Sequence, residues 1–140
     1  NAPMVEGWAV YGEGLMVKAG YGGDKNAAFK LFEVRGQMIV ATNLILDVKL
    51  HSGEMTDEQA VAFMVDEGFQ ERAMAEKKLV RAKLDSTQLP QYFLGLDEIR
   101  GLEKNYREKV GAGFSQRKFN EAVIGHGSIA VRFLARYLKP

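Results

Sequence analysis

The stretch Met38-Ile39-Val40-Ala41-Thr42-Asn43-Leu44-Ile45-Leu46-Asp47-Val48-Lys49-Leu50-His51 decides the fold. From Met38 to Leu50 it is apolar almost all round, which predicts a central, buried helix. Three polar residues interrupt it at four-residue spacing: Asn43, Asp47 and His51. That spacing puts them on one helix face, as a single polar seam. The helix is expected to start near Asp24, a good N-cap, and to end at Ser52-Gly53.

Helical spacing continues outward in both directions. Before this segment, a helix is expected over about 5–19, stopping before Gly20-Tyr21-Gly22-Gly23. After it, Thr56-Asp57-Glu58-Gln59 has the form of a capping box. The helix it opens should reach Glu67, with a break at Gly68. A charged helix is expected from about Phe69 to Leu84. Asp85-Ser86-Thr87-Gln88 reads as a turn, and Pro90 sits where the first turn of a helix tolerates it. Tyr92, Leu96, Ile99, Leu102, Tyr106 and Val110 then mark an apolar stripe. Gly111-Ala112-Gly113 breaks that helix, and Ser115 is placed to cap the next. Gly125-His126-Gly127 is a tight turn, with Ser128 capping a last helix to about Leu138. The expected architecture is an all-α bundle of about six or seven helices in a single domain over 1–140, with short turns.

Composition limits the function classes. The chain has 140 residues, 46% hydrophobic and 26% charged, which suits one folded core rather than disorder. No apolar run approaches the roughly 20 residues that span a bilayer. Net charge is +1, so no strong field recruits nucleic acid or an anionic membrane. With no cysteine, disulfides and thiolate metal sites are excluded. The chain opens Asn-Ala-Pro, which reads as a start inside a longer sequence.

Several residues could carry chemistry. Asp47, one turn before His51, could fix the imidazole tautomer, with His51 as proton carrier or hydrogen-bond donor. The bland alternative is a satisfied polar seam, with His51 favoured by the helix C-terminus. Glu6 and Glu13 share a face of the first helix but lie about 10 Å apart along its axis. At most one can therefore ligate a given metal ion. Gly7, Gly12 and Gly14 in the same helix each cost about 1 kcal/mol relative to alanine, which suggests close packing or approach of another backbone. The helix start after Ser86 could hold a carboxylate, with Tyr92 in reach. Lys77, Lys78 and Lys83 read as a solvated face beside Glu71 and Glu76, with Arg81 set apart. His126 between two glycines reads as a turn residue.

The order of these elements resembles the C-terminal part of the bacterial domain of unknown function family 885. Its Glu-Gly-Trp-Ala helix is matched by Glu6-Gly7-Trp8-Ala9, with Tyr11 and Glu13. Its Asp-x-x-x-His element is matched by Asp47 and His51. Arg81, Gln88, Tyr92 and Gly95 match a third element, and Gly125-His126-Gly127-Ser128 a fourth. Asn43 stands where the family has arginine, Ser86-Thr87 where it has Pro-Gly, and His126 where it has asparagine.

The resemblance implies part of the active-site wall of a zinc-dependent peptidase or amide hydrolase acting on a peptide or small amide. Glu6 would be a zinc ligand, with Glu13 behind it. His51, Tyr92 and Asp47 would be catalytic, and Arg81, Gln88, Asn43 and His126 would bind substrate. The other zinc ligands belong to a His-Glu element absent from these residues, so no tight zinc binding and no hydrolysis are expected of the 140 residues alone. The N-terminal remainder of the protein would be their partner. The surface it covers would be apolar and exposed, and prone to self-association. No nucleic-acid or membrane partner is expected, and the resemblance implies export. The competing reading is a non-catalytic helical interaction or scaffold module.

Overall fold

A computed structural model describes residues 1–138 of the protein. Among these residues there are seven α-helices, two short 3-10 turns and no strand. They are α1 (Ala2–Lys18), α2 (Asn26–His51), α3 (Asp57–Asp66), α4 (Arg72–Leu84), α5 (Pro90–Val110), α6 (Gln116–Ile124) and α7 (Val131–Leu134). The all-helical expectation holds. The chain forms two compact units, one of Asn1–Gly12 with the chain from Leu94, the other of Glu13–Phe93. The division falls within α1 and α5.

In the first unit, α1 and α5 touch backbone to backbone. A methyl group on Gly7 would run into the backbone of Gly95, and one on Gly95 into the Pro3 carbonyl. The cost of Gly7 inside a helix thus has the expected cause. Gly12 does not share it, since a methyl there would meet nothing. Met4, Tyr11, Leu96, Ile99 and Leu102 are buried, as are Phe119, Val123, Val131 and Leu134. Ser115 caps α6 by accepting the Lys118 N–H. Ser128 does not cap the last helix: α7 begins at Val131 behind Ala130 and is only four residues long. Gly127, at φ +69°, turns the chain before it.

In the second unit, α3 packs on α2 and α4. Leu46, Ala60, Val61, Met64, Ala75, Leu79, Ala82 and Leu89 form its core. The capping box is present: Thr56 Oγ1 accepts the Gln59 N–H, and Gln59 Oε1 accepts the Thr56 N–H. Asp24 is not the N-cap of α2; a 3-10 turn over Gly23–Lys25 leads into it instead. The charged helix also starts later than expected, at Arg72, because Phe69 takes a left-handed φ of 51°.

The largest correction concerns α2. Thr42, Asn43, Leu46 and Asp47 are its buried residues, whereas Met38, Ile45 and Val48 are exposed. Asn43 and Asp47 of the polar seam face inward beside Leu46, His51 at the end of the seam is exposed, and much of the apolar remainder is turned outward.

Candidate functional site

The site grows from the end of α2. Asp47 is buried, and its two carboxylate oxygens accept the backbone N–H of Thr87 at 3.2 and 3.3 Å. That bond fixes the turn between α4 and α5. Thr87 lies at φ +71°, a left-handed conformation that a β-branched residue seldom adopts.

His51 stands one turn further along α2. Its Nδ1 lies 2.8 Å from the Asp47 carbonyl oxygen and 3.6 Å from Asp47 Oδ1. A carbonyl only accepts, so Nδ1 carries the proton in the neutral ring and Nε2 keeps its lone pair. Asp47 therefore sets the tautomer mainly through its backbone oxygen, while its carboxylate holds the turn. The side chain of His51 is about one-third exposed, so Nε2 can exchange protons with a ligand or with water.

From the other side of the turn, Arg81 Nη2 donates to Gln88 Oε1 at 2.6 Å. Gln88 Nε2 in turn donates to the Tyr92 hydroxyl at 3.1 Å. With the amide donating to it, the phenol directs its own proton away from Gln88. Two chains of contact, His51–Asp47–Thr87 and Arg81–Gln88–Tyr92, thus meet at the neighbouring residues Thr87 and Gln88. Asn43 sits one turn before Asp47; its Oδ1 is buried with no hydrogen-bond partner among the described residues.

The remaining candidates stand elsewhere. Glu6 is half-buried on α1 in the first unit. His126 is exposed in its turn in the same unit, its ring edge-on to Tyr137 at 5.3 Å. Glu13 belongs to the second unit and lines an apolar hollow of about 470 Å³ with Met16, Tyr21, Phe29 and Phe32. Among the described residues, no three His, Asp or Glu side chains group closely enough to hold a metal ion.

Two polar networks escape the sequence reading. Lys78 is not part of a solvated face. It is half-buried, and its Nζ donates to Gln70 Oε1 at 2.7 Å; Gln70 Nε2 reaches Thr42 Oγ1 at 3.4 Å. Burial, with the Arg81 charge adding to it, lowers the Lys78 pKa to about 8. In the first unit the buried Tyr11 hydroxyl donates to Glu103 Oε2 and accepts from Gln116 Nε2, both at 2.8 Å. Burial, then the Glu103 carboxylate, pushes the phenol pKa above its ordinary value. The Glu103–Arg107 and Gln116–Asn120 pairs were readable at their four-residue spacing. Their junction through Tyr11, at separations of 92 and 105 residues, was not.

The family model described as "Bacterial protein of unknown function (DUF885)" matches residues 1–138. No curated protein matches the sequence. Two solved structures are similar over 97% of the chain. One, "a putative lipoprotein of unknown function" from Shewanella oneidensis, has 39% identity and a TM-score of 0.87. The other, "the putative lipoprotein from Colwellia psychrerythraea", has 24% identity and a TM-score of 0.90. The chain spans about a quarter of the length of each, 25% and 23%.

Proposed function

The chain belongs to the bacterial protein family DUF885, and we propose that it forms part of the active-site wall of a zinc-dependent peptidase or amide hydrolase. The observation that carries this reading is the Asp47–Thr87 bond, which ties the helix bearing His51 to the turn bearing Gln88, just before Tyr92 at the start of α5. A phenol with its proton directed outward can donate to a tetrahedral oxyanion, and a histidine whose Nε2 keeps its lone pair can take up a proton there. In this reading His51 exchanges a proton at Nε2, and Tyr92 donates to the developing negative oxygen. Asp47 positions both. Arg81, held by Gln88, attracts the carboxylate of a peptide substrate.

These residues do not by themselves fit a complete zinc site. Glu6 would be one ligand, the others being supplied by a His-Glu element outside these residues. Zinc so held would supply Lewis acidity towards a carbonyl. The 140 residues alone are expected to hydrolyse nothing. The description of both structural neighbours as lipoproteins supports export of the protein, which cell fractionation tests. Among the described residues, no helix is long and apolar enough to cross a membrane.

The test is kinetic, on a full-length protein containing this segment. His51→Gln and Tyr92→Phe should each lower kcat about 100-fold with zinc content unchanged, while Arg81→Met should chiefly raise KM. Peptidase activity indifferent to His51→Gln and Tyr92→Phe would remove the assignment. The scaffold reading draws on the exposed apolar side of α2; a zinc-loaded full-length protein without hydrolytic activity on peptides or amides would favour it.

A further inference from the structure

The exposed side of α2 carries a regular pattern. Leu31, Val34, Met38, Ala41, Ile45 and Val48 follow one another at alternating steps of three and four residues. This is the seven-residue repeat of a coiled-coil seam, with Leu31, Met38 and Ile45 at the first position and Val34, Ala41 and Val48 at the fourth. The seam runs about 26 Å at 1.5 Å per residue. It lies on the side of α2 away from the buried Asn43 and Asp47, with the buried Thr42 and Leu46 along one edge. Leu31 is 69% exposed and Val48 55%, and Val34, Met38 and Ile45 are exposed as well. Such a contiguous apolar stripe marks an interaction surface. The charged residues in the positions flanking it are Lys30, Arg35 and Lys49, all basic.

We propose that this seam receives an amphipathic helix with acidic flanks, contributed by the larger remainder of a full-length family member. The repeat of 3.5 residues selects a helix as the occupant, since it keeps one stripe facing a helical partner along its whole length. The basic flanks select carboxylates beside that partner's apolar stripe. They also oppose a second copy of α2, which would bring like charges together. The remainder is chosen as the source because the matched part is 25% and 23% of the two solved relatives. The inference stands on spacing and charge, and it is independent of the proposed zinc chemistry.

The probe is a labelled peptide of about three heptads with leucine at the two seam positions and glutamate at the flanks. It should bind the 140-residue chain saturably, and more weakly in about 1 M salt. Ile45→Glu should abolish binding while the circular dichroism of the chain is unchanged. A lysine-flanked peptide should bind at least about tenfold more weakly, about 1.4 kcal/mol. Equal binding of both peptides, or of neither, overturns the proposal. So does a dimeric mass by light scattering that Ile45→Glu makes monomeric, since a second copy then fills the seam. Thiol labelling tests the source, because this chain has no cysteine. A cysteine replacing Val34 should react freely here. At the aligned position of a cysteine-free variant of the full-length Shewanella protein it should react at least about tenfold more slowly. Equally fast reaction in both would assign the seam to a separate protein and overturn the proposal.

Discussion

Asp47 on α2 holds the backbone N–H of Thr87, 40 residues later in the chain, with both carboxylate oxygens. A charged acceptor strengthens the bond, and its removal leaves the turn without its anchor. Asp47→Ala is therefore expected to cost about 1–3 kcal/mol and to speed amide exchange at Thr87. Asp47→Asn keeps an accepting oxygen and should cost less. Thr87→Gly removes the left-handed strain and should be neutral or stabilising. Thermal unfolding and hydrogen exchange check all three; normal protection of Thr87 in Asp47→Ala would contradict the assignment.

The approach of α1 and α5 at Gly7 and Gly95 leaves no space for a methyl group. Gly95→Ala is expected to destabilise by about 3 kcal/mol or more, because two backbones rather than a flexible side chain must move apart. Gly12→Ala meets nothing and should stabilise by roughly 0.5–1 kcal/mol through helix propensity. Melting temperatures moving in opposite directions are the expected result.

The capping box of α3 gives a smaller effect. Thr56→Ala should cost about 1 kcal/mol, and Gln59→Ala less. Their sum should exceed the cost of the double substitution, because each side chain helps to hold the other. Urea unfolding of the four proteins forms the cycle.

Lys78 gives a pH dependence of defined sign. Its folded pKa is about 8, against an ordinary 10.5, with burial the main cause and the Arg81 charge the second. Between these values the unfolded chain binds more protons, so stability rises with pH. The penalty from Lys78 is full below about pH 8 and fades towards about 10.5. Lys78→Met removes it. The melting temperature of Lys78→Met relative to the unsubstituted protein should fall as pH is raised through that window. A flat difference would show that Lys78 titrates normally.

Local chemistry made much of the fold legible. The capping box at Thr56, the cap at Ser115 and the Pro90 helix start each depend on neighbours within a few residues. Ser128 had the right residue type, but the segment after it stays non-helical as far as Ala130. The orientation of α2 was not legible, because a helix apolar on nearly every side does not reveal which side the chain itself will cover. In the candidate site, Asp47 and His51 could be paired by their four-residue spacing. The hold of Asp47 on Thr87 and the chain from Arg81 through Gln88 to Tyr92 depend on where the turn before α5 falls in space. Lys78 was misread for a similar reason: its burial comes with Gln70, which lies before α4 begins.

The paired glycines of α1 and α5 do more than shorten a distance. A helix that rests on its neighbour through side chains can rotate about its own axis while those side chains adjust. One that rests on bare main chain, with Gly7 seated against Gly95, has no such compliance. Glu6 precedes Gly7 directly, so the direction in which its side chain leaves the helix is set by two residues that have nothing to offer but their lack of a side chain.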